Sequence, residues 1–144
     1  MNRSKRAVII SFLTVGVLVL ITLVGFGVFS KQSLTGKWDG RLTYGEGGTL
    51  KGFDVSLQLN QRNNHVIGYL ILKKGEGVSY DFYITGSLME DNLAFRGDEK
   101  YACMTIEFSG TAASRRIKGQ IKIFHQTFLY LITTREGYLE IVRH

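Results

Sequence analysis

Two regimes of apolar spacing divide the chain. From Ala7 to Phe29 the sequence AVIISFLTVGVLVLITLVGFGVF runs for 23 residues without a charge. A helix rising about 1.5 Å per residue needs roughly 20 such residues to cross a hydrocarbon core. Past Lys31 the spacing becomes alternating. Phe53, Val55, Leu57 and Leu59 are separated by Asp54, Ser56 and Gln58, the period-two pattern of a half-buried strand. Val66, Leu70 and Leu72 oppose Ile67, Tyr69 and Ile71 in the next segment. Tyr80, Phe82 and Ile84 continue the pattern, as do Met104, Ile106 and Phe108, and then Ile117, Ile121 and Ile123. Phe128–Thr133 and Tyr138–Val142 close the chain.

No helical stripe of useful length follows Ser33. About nine short strands result, joined by turn-rich segments such as QRNNH, KKGEG and MEDN. A sequential antiparallel meander of this length best removes its exposed edges by closing. The pattern therefore predicts an all-β, up-and-down antiparallel barrel of about eight main strands, preceded by one transmembrane helix. Gly68, Gly86, Gly110 and Gly119 sit inside the apolar alternations. There glycine marks either a close approach of strands in a small barrel or bulges in an open sheet.

Charge sharpens the division. The net charge is +6, and Arg3, Lys5 and Arg6 precede the apolar run with no acid beside them. The rest of the chain holds 15 basic against 12 acidic residues, too nearly balanced for a nucleic-acid partner to follow from charge. Residues 1–6 read as a cytoplasmic basic tail, 7–30 as a signal anchor and 31–144 as an exported barrel domain. The location expected is a single pass through the inner (cytoplasmic) membrane, with the C-terminal domain periplasmic or extracellular. A cleaved signal peptide is the alternative; its apolar region is usually shorter.

Chemistry is sparse. Cys103 is the single cysteine, which excludes an intramolecular disulfide and a cysteine metal cluster; it reads as a small packed thiol or as half of an intermolecular disulfide. His65 and His125 fall at expected turns and His144 ends the sequence given. They read as solvated, with no metal spacing among them. No nucleophile elbow, phosphate loop or paired carboxylates are present, so no enzyme, metal or cofactor is expected. Arg115, Arg116, Lys118 and Lys122 cluster on one strand and its turn, either as a solvated face or as a patch for anionic lipid head groups. Ile67, Tyr69 and Ile71 form a second apolar face, either a partner surface or a face covered by the domain's own chain.

The segment SLTGKWDGRLTY carries a resemblance. Gly36-Lys37-Trp38 is similar to the Gly-x-Trp of the lipocalin first strand, and avidin-like barrels open with a similar segment. The chain thus resembles the calycin group of small barrels. The lipocalin resemblance implies that Trp38 plugs the closed end, with Arg143 from the last strand as a lid over its ring. Avidin-type biotin sites use several Trp residues, and this chain has one. The layout of basic tail, single helix and exported barrel also resembles the periplasmic partner subunits of membrane-bound transcription regulators, some of which sense bile salts. Two functions follow as expectations. One is a binding module that pairs with another membrane or envelope protein, or holds a small apolar ligand such as a bile salt or lipid. Its lumen candidates are Trp38, Phe53, Leu57, Phe82, Met104 and Phe108. The other is a filled barrel that acts through its surface as a scaffold or inhibitor.

Overall fold

The computed structural model describes residues 33–46, 49–99, 101, 103–127 and 132–144. The tail and the anchor expected at 1–30 lie outside them. Among the described residues, no helix is long and apolar enough to cross a membrane.

Eight strands follow in order: β1 (Gly36–Glu46), β2 (Thr49–Arg62), β3 (His65–Lys74), β4 (Val78–Met89), β5 (Asn92–Glu99), β6 (Met104–Ala113), β7 (Arg116–Gln126) and β8 (Ile132–Arg143). Each pairs antiparallel with the next, and β1 pairs with β8 to close the barrel. Ile132 and Thr133, the described end of the segment read from sequence as Phe128–Thr133, share one long strand with Tyr138–Val142. β8 runs unbroken through Glu136 and Gly137, while 128–131 lie outside the described residues.

The alternation sets the core. Phe53, Val55, Leu57 and Leu59 of β2 are buried, and so are Val66, Leu70 and Leu72 of β3 and Phe82, Ile84 and Leu88 of β4. Leu139 and Ile141 of β8 complete the same core. Register keeps it coherent, since Leu57 lies opposite both Trp38 and Leu70; a slip of one residue would turn every one of these side chains outward. Gly68 illustrates how tightly the strands cross. A Cβ built on it would collide with the carbonyl oxygen of Gln58 on β2, so a side chain there would force the two strands apart.

An up-and-down barrel has two distinct ends. The β2–β3, β4–β5 and β6–β7 turns share one end with the start of β1 and the finish of β8. The other end carries the β1–β2, β3–β4, β5–β6 and β7–β8 connections.

Candidate functional site

The first end is sealed. Trp38 is fully buried, and its Nε1–H donates to the Leu34 carbonyl at 3.0 Å. Leu34 is itself fully buried, and its amide donates to Gln61 Oε1 at 2.7 Å. Arg143 pairs with Trp38 across the β1–β8 ladder, and its guanidinium carbon lies 5.7 Å from the Trp38 ring centroid. The same guanidinium donates to the carbonyls of Ser33 (3.0 Å) and Thr35 (2.5 Å). Gly36 makes room for it. Its φ is 147°, and a Cβ there would stand 3.2 Å from Arg143 Nη2. The Gly-Lys-Trp segment thus belongs to a plug, with Arg143 laid over the ring in a cation–π contact.

The opposite end holds a half-open cavity of about 410 Å³. Phe53, Tyr80, Met104 and Ile123 supply its apolar walls; Lys74, His125, Thr133 and Arg135 supply its polar ones. All eight lie at inward positions, because each continues the buried parity of its strand. An aromatic cluster backs one wall. Tyr44 stacks on Phe53 with centroids 5.5 Å apart, and Phe53 meets Tyr80 edge-on at 6.2 Å. The Arg135 guanidinium carbon sits 5.7 Å from the Tyr44 ring centroid. Tyr44 is only 2% exposed, yet its hydroxyl has no hydrogen-bond partner among the described residues. A buried polar group in that state costs about 1–3 kcal/mol. A concave, mostly apolar space with a few converging polar groups is the usual form of a small-molecule site.

The six lumen candidates divide between this cavity and the core. Phe53 and Met104 line the cavity. Trp38, Leu57 and Phe82 are packed into the core, and Phe108 is buried against Phe95 with rings 4.7 Å apart. Ile67, Tyr69 and Ile71 face outward on β3, where Tyr69 is 61% exposed and meets Tyr83 edge-on at 5.4 Å. Arg115 lies in the β6–β7 turn, and Arg116, Lys118 and Lys122 are exposed along β7. Two of these four cations face carboxylates of β8: Arg116 is 3.5 Å from Glu140, and Lys122 is 2.9 Å from Glu136. The hydrogen bond and charge of Glu136 hold the Lys122 ammonium above its ordinary pKa.

Two smaller expectations are corrected. Cys103 is exposed rather than packed, because it sits at φ 48° just before β6 instead of on an alternating face. His125 belongs to β7 rather than to a turn and reaches the cavity. Sequence reasoning missed His125, Arg135, Thr133, Lys74, Tyr80 and Tyr44 as site residues. The parity of Ile117, Ile121 and Ile123, continued by one step, is the signal that finds His125. Among the described residues, no group of His, Cys, Asp or Glu is placed to hold a metal ion.

A closed eight-stranded antiparallel barrel, plugged by a first-strand Trp and open at its far end, has the calycin-like architecture. Among solved structures, the bradavidin2–biotin complex matches it with a TM-score of 0.58 at 14% identity, over 78% of this chain and 98% of that one. The likeness is one of fold. No family model matches the chain, and no curated protein matches it.

Proposed function

We propose that the protein is a small-ligand-binding barrel whose site is the mouth opposite the Trp38 plug. One observation carries this reading: inward positions of six strands bring an aromatic and aliphatic wall and several polar groups into one cavity of about 410 Å³. The avidin-type neighbour, captured with biotin, supports a barrel of this kind as a host for small molecules. The single Trp of this chain is taken up by the plug, so a biotin site rich in Trp is not the form expected here. A tether formed by residues 7–30 would hold the barrel at a membrane surface; the uncharged 23-residue run supports it.

Native mass spectrometry of the full chain, purified from membranes, tests the reading. The wild type should carry a small molecule that Met104→Trp, which fills the cavity, lacks. Equal ligand content in the two proteins would place the site elsewhere.

A second reading has its own support. Ile67, Tyr69 and Tyr83 form an exposed apolar row on the outer face of β3 and β4, each more than 40% exposed. Such a row suits contact with another envelope protein. In that case Met104→Trp is silent and Tyr69→Glu is not.

A further inference from the structure

We infer that the outer row on β3 and β4 pairs with a second copy of this chain, packed face to face with the two-fold axis along the strands. This rests on the second reading above, in which the row is an interface, and names the partner.

The row is apolar at its middle and charged at its mouth end. Tyr69 and Tyr83 are register partners and touch edge-on. Ile67 lies opposite Thr85 toward the sealed end, and Ile71 lies opposite Asp81 toward the mouth. The flank on β2 is neutral, since Ser56, Gln58 and Asn60 are the partners of Ile71, Tyr69 and Ile67. On the other flank, Arg96 and Asp98 of β5 hold each other at 3.8 Å. The row's own charges are Lys73 on β3 and Asp81 on β4, both exposed. Neither forms an ion pair among the described residues. Asp54, the β2 partner of Lys73, faces Arg41 at 3.8 Å.

Two copies that meet through one face are related by a two-fold axis lying between them. With the axis across the strands, β3 covers β3 in the reverse direction. Lys73 then meets the sealed-end half of the facing row, where Ile67 stands, and Asp81 meets Thr85. With the axis along the strands, β3 of each copy covers β4 of the other. Each Tyr69 then packs on the partner's Tyr83, and each Lys73 stands one diagonal step from the partner's Asp81. Four tyrosines fill the centre, the residue type that interface cores favour. Two ion pairs close the rim and fix the register. An unrelated protein would need its own matching lysine and carboxylate; a second copy supplies both by symmetry.

Energy transfer between chains tests the inference. Cys103 is the single cysteine and is exposed, so the full chain in detergent can carry a donor or an acceptor dye there. Wild-type chains should show transfer. Lys73→Asp alone, or Asp81→Lys alone, should raise the dissociation constant about tenfold, because two attractive rim pairs become repulsive. Donor-labelled Lys73→Asp mixed with acceptor-labelled Asp81→Lys restores both pairs and should return to within about threefold of wild type. Tyr69→Glu should abolish transfer in every combination. Trp38 emission identifies any variant that fails to fold; if a charge variant does, Tyr69→Glu and the crosslink below carry the test. No transfer between wild-type chains overturns the inference, and so does a mixture as weak as either variant alone. Transfer that Tyr69→Glu leaves intact also overturns it, because the chains then associate elsewhere. Photocrosslinking from Tyr69→p-benzoylphenylalanine, in cells that make the protein, separates this inference from the reading beneath it. A product of twice the chain's mass supports the second copy. A product with a different protein alone overturns the second copy and leaves the row an interface. Absence of any product removes the interface reading and the inference with it.

Discussion

Replacing Arg143 with alanine removes three contacts at once. The guanidinium lies over Trp38 at 5.7 Å and donates to the carbonyls of Ser33 and Thr35. A cation–π contact at an exposed site contributes about 0.5–1 kcal/mol. Each hydrogen bond from a charged donor, discounted for solvent screening, contributes about 1 kcal/mol. The loss should therefore be about 2–3 kcal/mol, which for a domain of this size lowers the melting temperature by roughly 10 °C. Arg143→Lys separates the causes. It keeps a cation over the ring but cannot span both carbonyls, so it should recover less than half of the loss. The assay is urea unfolding followed by tryptophan emission, since Trp38 is the only Trp and is fully buried. Superimposable unfolding curves for wild type and Arg143→Ala would refute the lid. Full recovery by lysine would show that only the charge matters.

Three further substitutions probe other parts of the barrel. Tyr44→Phe deletes a buried hydroxyl that has no partner among the described residues, so the ligand-free protein should be stabilised by about 1 kcal/mol or more in the same urea assay; destabilisation would mean the hydroxyl is satisfied. Gly68→Ala drives a methyl into the Gln58 carbonyl and should cost about 3 kcal/mol or more in thermal unfolding, whereas Gly45→Ala meets open space and should cost little. Tyr69→Glu should leave the circular dichroism of the barrel intact, with a loss of about 1 kcal/mol from the Tyr83 pair, and should abolish any association that uses the outer row, as read by sedimentation.

Much of the barrel was legible because burial and parity coincide. Phe53 to Leu59 and Met104 to Phe108 alternate cleanly, and the structure buries the side of each that their pattern selects. Closure was legible only indirectly, from the need of a many-stranded meander to remove its exposed edges, since pairing of β1 with β8 joins residues about a hundred positions apart. The mouth was the least legible part. There the inward positions are polar by necessity, being half-solvated, so Thr133, Arg135 and His125 break the apolar alternation that elsewhere marks the inner face. The same break split β8 into two expected strands. Hydrophobic pattern finds a barrel's dry core and loses its wet rim, which is where a ligand would enter.

The most direct measurement uses the methionine methyls as reporters. Met104 lines the mouth, whereas Met89 is exposed at the sealed end of β4. With ¹³C-methyl methionine in the full chain, addition of the small-molecule fraction from host membranes should shift the Met104 signal in a saturable way and leave Met89 unmoved. A saturable shift confined to Met89, or none at either methyl across that fraction, would contradict the mouth as the ligand site.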